Sequence, residues 1–262
     1  MKYSGIALAI MLNLIFIFNL KGQTDELYEK GIITAGNDSL PYRFIRPKNF
    51  DPAKEYPLIV FLHGSGERGT DNKLQLKHGA SFFASDSIRD TYPAFVAFPQ
   101  CDTDKAWHNG IYSFDGVKRQ YSFPKETKKN ISLDLVELLI QGFQMKFNTD
   151  RDRIYIGGLS MGGMGTYEMV NRNPDKFAAA FAICGGANPE IADRLQDPSW
   201  WIFHGEDDDV VPVSWSERMY EAIKKSNEDV SLTIYPGVKH DSWTNAFSEP
   251  GLMNWLFSKK RD

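Results

Sequence analysis

Ser160 stands in the run GGLSMGGMG, Gly157 to Gly165, where five glycines surround one hydroxyl. A glycine in a helix interior costs roughly 1 kcal/mol relative to alanine, so this density needs a reason. Within the run, Gly158 to Gly162 match G-x-S-x-G, between a buried apolar stretch (Arg153 to Ile156) and a helix predicted to begin near Met161. In that setting the motif is a nucleophile elbow, a strained strand-to-helix turn that points the hydroxyl out of the top of a sheet. Gly158 and Gly162 are then the positions where a Cβ would clash. Gly163 and Gly165 let the helix sit close to its neighbours, and Gly157 has no such account.

A serine hydroxyl is a poor nucleophile until a base takes its proton, and a histidine base needs a carboxylate to fix its tautomer. In elbow folds the acid precedes the histidine along the chain. Of five histidines only His204 and His240 follow Ser160. His204 closes a buried run in WIFHGEDDD, where a packed or backbone-bonded ring is expected. His240, in the polar YPGVKHDSW beyond the last strand, is the expected base. The acid must come from the loop after the preceding strand, where Glu206, Asp207, Asp208 and Asp209 are consecutive. Composition does not choose among them, but three adjacent aspartates repel, so at least one should be held by a cation or an imidazolium. An oxyanion formed on attack needs preorganised donors, and the N–H of Met161, at the helix start, is one.

These residues need a scaffold, and the sequence describes it. YPLIVFLHG is a short continuous apolar run ending in glycine, the pattern of a parallel strand buried on both faces. YPAFVAFPQ, DRIYIGGLS, FAAAFAICGG, SWWIFHGEDD and DVSLTIYPG repeat it. Helical spacing appears in ISLDLVELLIQGFQMKF, with Ile131, Leu135, Leu138 and Leu139 on one face, in WSERMYEAIKKS and in the terminal GLMNWLFSKK. Alternating strands and helices argue an α/β fold with a mostly parallel, doubly wound sheet. Before them, YEKGIITAGNDSLPYRFIRP reads as an antiparallel strand–turn–strand hairpin. The stretches His63 to Asp90 and Cys101 to Asn130 are long for connections, and the second is rich in aromatics, including Trp107, His108 and Tyr112. Long loops at the carboxyl ends of parallel strands are where such sheets bind ligands.

The 262 residues are 42% hydrophobic and 24% charged, an ordinary globular balance. Residues 1–23 carry Lys2, an apolar run from Ile6 to Leu20 and a polar break at Lys21, the pattern of a signal peptide. The run is too short for a bilayer span of roughly 20 residues, so an exported, periplasmic or secreted protein is expected, with no stable membrane insertion after cleavage. Residues 24–262 are then one catalytic domain. Loss of Lys2 and Lys21 raises the excess of acidic over basic residues from 4 to 6, which argues against a nucleic-acid partner. No metal or organic cofactor is implied, because no histidine–carboxylate set has ligand spacing such as H-E-x-x-H.

LHGSGERGTDN, GLSMGG, HGEDDDVVP and HDSW together resemble the α/β-hydrolase superfamily of serine esterases, across nearly all of residues 24–262. They also closely resemble its bacterial branch of predicted peptidases, feruloyl esterases and polyhydroxybutyrate-depolymerase-like esterases. The resemblance implies that Asp208 is the acid, the fifth residue of H-G-x-x-D-x-x-V-P, with Asp207 and Asp209 solvated. It implies that the N–H of Ser65 is the second oxyanion donor. Its usual strand order seats two strands between those preceding Cys101 and Cys184, so two free, buried thiols are expected. Glu67 and Arg68 are expected to pair with each other or to lie on the surface.

The expected chemistry is ester hydrolysis through Ser160, His240 and Asp208. Only about 15 residues separate the strand ending near Cys184 from the next, too few for a large lid domain. An open, exported, aromatic-lined cleft suits polysaccharide esters bearing feruloyl or acetyl groups, or a small ester, with Trp107, His108 and Trp243 as substrate-binding candidates. The rival readings are a serine peptidase of the prolyl-oligopeptidase type, which lacks its usual gating domain here, and a general carboxylesterase or phospholipase. Nothing in the sequence reports an oligomeric state.

Overall fold

A computed structural model describes residues 25–114, 116 and 119–261. The expected signal peptide, 1–23, lies outside these residues. The hairpin is β1 (Glu29–Ala35) and β2 (Asp38–Ile45), antiparallel and closed through Gly36 at φ 59°. The chain continues through β3 (Leu58–Leu62), α1 (Ala80–Ala84), α2 (Asp86–Thr91), β4 (Phe95–Pro99), and a second hairpin of β5 (Ile111–Phe114) and β6 (Arg119–Ser122). Next come α3 (Ile131–Phe147), β7 (Ile154–Leu159), α4 (Met161–Arg172), β8 (Ala179–Ile183) and β9 (Ser199–Gly205). The last elements are α5 (Ser214–Ile223), β10 (Val230–Tyr235), α6 (Trp243–Phe247) and α7 (Leu252–Phe257).

Eight strands form one sheet in the order β1-β2-β4-β3-β7-β8-β9-β10, antiparallel through the first three and parallel from β4 onward. Every residue of β3, β4, β7 and β8 is buried, because helices cover both faces and leave no solvent side for a polar alternation. On one face α3, α4 and α5 pack through Val136, Phe143, Tyr167, Val170 and Met219. On the other, α1, α6 and α7 contribute Phe83, Ala246 and Leu256.

Asn130 caps α3, its side chain accepting from the N–H of Ser132 and Leu133, and Asn148 ends the helix in the left-handed region at φ 49°. The buried face of α3 is rotated from the expected one. Leu135 and Leu139 are buried, but Leu138 is 38% exposed, and Val136, Ile140 and Phe143 take its place against the sheet. The strands before Cys101 and Cys184 have β3 and β7 between them, and both thiols are free and buried. Between β8 and β9 lies a single 3-10 turn, Pro189–Arg194. Among the described residues no helix is long and apolar enough to cross a membrane.

Candidate active site

Ser160 follows β7 directly and caps α4 at φ 53°, ψ −115°, a conformation that L-residues rarely adopt. Its N–H donates to the Ile183 carbonyl at 2.8 Å, and its own carbonyl accepts from Met164 at 3.0 Å, so neighbouring strand and helix both hold the turn. A Cβ on Gly162 would strike the Leu62 carbonyl, and one on Gly158 would strike the Gly162 backbone. Gly157, without an account from sequence, faces the ring of Phe181 on the adjacent β8, which occupies the space a Cβ would need.

His240 lies in the loop after β10, its Nε2 2.9 Å from Ser160 Oγ and its Nδ1 2.7 Å from Asp208 Oδ2. Nδ1 faces a carboxylate and carries the proton, which leaves Nε2 to accept from the serine hydroxyl. Asp208, in the loop after β9, is fully buried at its side chain. Its Oδ1 accepts from the N–H groups of Val210 and Val211, each at 2.8 Å. Burial alone would raise its pKa, but hydrogen bonds from His204, His240 and the Val211 backbone outweigh that and hold it well below the usual carboxylate range. Asp207 is exposed, and Asp209, also exposed, pairs with Lys239 at 3.2 Å.

His204 is packed and backbone-bonded, with Nε2 2.9 Å from the Val211 carbonyl and Nδ1 2.7 Å from Ser216 Oγ. It does one thing more than its sequence setting implies: Nε2 is also 3.1 Å from Asp208 Oδ2. Facing two acceptors, Nε2 carries the proton, so a second imidazole donates to the carboxylate that orients His240. The spacing of four residues in HGEDD was the available signal, and it does not say whether the two side chains meet.

Ser65 opens a 3-10 turn, Ser65–Glu67, after β3. The N–H groups of Ser65 and Met161 have no protein acceptor among the described residues. His63 anchors that turn: its Nδ1 donates to the Gly64 carbonyl at 2.6 Å and its Nε2 accepts from the Cys101 N–H at 2.9 Å, tying the ends of β3 and β4 together. Burial pushes His63 down to about 4, so it stays neutral. The expected pairing of Glu67 with Arg68 is not found. Buried Glu67 turns instead to Lys77 at 3.4 Å and His78 at 3.5 Å, both on the segment leading into α1.

A cleft of about 520 Å³ opens over Ser160 and His240, lined also by Ser65, Arg68, His108, Tyr112, Tyr121, Met161 and Met164. The hairpin β5–β6, which the sequence showed only as an aromatic loop, supplies Tyr112 and Tyr121. Of the three substrate-binding candidates, His108 alone lines the cleft, held neutral by burial at about 4. Trp107 does not: it is fully buried, donating its indole N–H to the His63 carbonyl at 3.1 Å and backing Gly165, so no ligand can stack on it. Trp243 lies behind the site, its ring 5.6 Å from that of His240 at 86° and 5.0 Å from that of His78. It supports the imidazole edge-on and is not a wall of the cleft.

Cys184 Sγ, Asp208 and His240 each place a ligand atom within 4.8 Å of the others, the one grouping among the described residues that could hold a metal ion. Two of its members are already joined by the hydrogen bond described above. Burial pushes the Cys184 thiol well above its ordinary value, away from the thiolate a metal needs.

A mostly parallel sheet covered on both faces, with a strained serine between strand and helix and an imidazole–carboxylate pair on the loops after β10 and β9, defines an α/β-hydrolase of the serine class. The chain belongs to the phospholipase/carboxylesterase family, whose model matches residues 49–249. A thermostable esterase of known structure superposes with a TM-score of 0.81 at 34% identity, covering 91% of this chain and 64% of that one. The bifunctional acetylxylan esterase/xylanase XynS20E of Neocallimastix patriciarum is 39% identical over 178 residues, 68% of this chain but 22% of that protein. Lysophospholipase-like protein 1 of Mus musculus is 24% identical over 77% of this chain and 86% of its own length. A ferulic acid esterase from Anaeromyces mucronatus shares the fold, with a TM-score of 0.63 at 15% identity, covering 88% of this chain and 90% of that one.

Proposed function

We propose that the protein is an exported esterase that removes acyl groups from polysaccharides through a covalent acyl-enzyme on Ser160. The observation that carries this is the chain from Ser160 Oγ through His240 to Asp208, at 2.9 and 2.7 Å, opening into the cleft. Ser160 Oγ attacks the ester carbonyl while His240 Nε2 takes its proton. Asp208 holds the resulting imidazolium, and the N–H groups of Met161 and Ser65 receive the oxyanion at the N-terminus of α4. His240 then protonates the leaving alcohol. Water, deprotonated by the same imidazole, cleaves the acyl-enzyme and restores Ser160.

Polysaccharide esters are favoured by the name of the 39% identical relative, an acetylxylan esterase and xylanase, and by an open cleft without a large cover between β8 and β9. Export rests on the apolar run Ile6 to Leu20. The test is a panel of p-nitrophenyl acetate, methyl ferulate, acetylated xylan and a peptide amide, given to the mature chain and to Ser160→Ala. Esters should be cleaved well above the amide, and Ser160→Ala should lose at least about 1,000-fold in kcat. Full ester cleavage by Ser160→Ala would exclude the mechanism. Export predicts a mature N-terminus near residue 24 in the periplasm or medium, readable by mass spectrometry.

A further inference from the structure

Arg68 sits at the end of the Ser65–Glu67 turn and lines the same cleft as Ser160, Met161 and His240. Its Nε donates to the Ser65 carbonyl at 3.1 Å and its Nη1 to the Lys105 carbonyl at 3.3 Å. Two carbonyls thus fix the plane of the guanidinium without neutralising it. Among the described residues no carboxylate lies within 4.0 Å of it, and neighbouring Glu67 is committed to Lys77 and His78. Among the described residues no aspartate or glutamate lines the cleft, and of its described lining residues only Arg68 is permanently charged. The titratable groups that feel its charge, His63, His108 and Cys101, are all held neutral by burial.

A guanidinium held in place by backbone, with no carboxylate partner among the described residues and set beside a nucleophile, is a ready receptor for a planar anion. Its end-on pair of N–H groups matches the two oxygens of a carboxylate. We propose that Arg68 binds a carboxylate of the substrate, so that the preferred ester carries an acidic group near the scissile bond. The carboxylate belongs either to the alcohol side, as a uronic acid in the carbohydrate would supply, or to the far end of the acyl group, as in a dicarboxylic monoester. This rests on the ester-hydrolase reading of the cleft and adds the charge of its substrate.

Two matched pairs separate the sources. On the alcohol side, 4-carboxyphenyl acetate is compared with 4-carbamoylphenyl acetate; on the acyl side, the p-nitrophenyl monoester of adipic acid is compared with its terminal amide. In at least one pair the wild type should favour the carboxylate in kcat/KM, and Arg68→Gln should lower that within-pair ratio about 10- to 100-fold. Arg68→Lys should keep part of it, and added salt should raise KM for the acidic member more than for its amide. Using the ratio within one variant removes any general loss from the Ser65 and Lys105 contacts. The same preference should appear without turnover, as tighter binding of 4-hydroxybenzoate than 4-hydroxybenzamide, or of adipate than adipamide, to Ser160→Ala. Absence of a preference in both pairs, or one that survives Arg68→Gln, overturns the proposal. Ester cleavage that persists in Ser160→Ala instead overturns the reaction itself, and the binding arm still decides the role of Arg68.

Discussion

Asp208 accepts four hydrogen bonds, two from the chain that follows it and two from imidazoles that approach from β9 and from the loop after β10. Its neighbours Asp207 and Asp209 face solvent. The three carboxylates are identical in type, so only their surroundings distinguish them, and replacement should separate them sharply. Asp208→Asn is expected to lower kcat about 10,000-fold by reversing the His240 tautomer, whereas Asp207→Asn and Asp209→Asn should stay within about threefold. Steady-state rates on p-nitrophenyl acetate decide this, and a large loss at Asp207 would show the wrong acid had been chosen. At this scale the sequence was informative about type and weak about surroundings. His240 could be picked by its polar loop and its place after Ser160. Asp208 needed the resemblance, and Trp107 misled, because an aromatic in a loop looks like a ligand platform until its burial is known.

Elements that bury both faces were the legible ones. Each of β3, β4, β7 and β8 is an unbroken apolar run because the fold leaves it no polar side. The hairpin β5–β6 was not legible: Ile111, Tyr112 and Phe114 are exposed, so no periodicity marks them. Helices α1, α2 and α6 span five or six residues, too few to show a pattern. Inside β7 the motif hid a packing requirement, the contact of Gly157 with Phe181 of β8. Gly157→Ala should destabilise the fold by about 1–3 kcal/mol through overpacking. Adding Phe181→Leu should recover part of that, which a double-mutant cycle in urea will show; strictly additive losses would place the strain elsewhere.

The molecule as a whole has an acid weakness set by a histidine outside the reaction. His63 titrates at about 4 when folded and near 6.5 when unfolded, so as pH falls the unfolded chain takes up a proton first. Its share of stability is therefore complete above pH 6.5 and declines toward pH 4, on the order of 3 kcal/mol. His108, also held at about 4, adds to the decline in the same direction. Asp208 acts in a separate window: its depressed value preserves stability that is present above the ordinary carboxylate range and lost only as pH falls through its own low value. Urea midpoints should thus fall between pH 6.5 and 4.5, and a flat profile there would contradict the assignment of His63 as a buried neutral ring.

Among the described residues β10 is an edge strand, paired with β9 alone and half-exposed after Val230, and the chain that leaves it carries His240. Edges fray before centres do. The imidazole will depart while β3, β7 and β8 still hold Ser160 in its turn, so turnover becomes a reporter of fraying at one margin of the sheet. In a urea titration, activity should disappear at a lower concentration than far-ultraviolet circular dichroism, and coincident midpoints would mean that the margin melts only with the core.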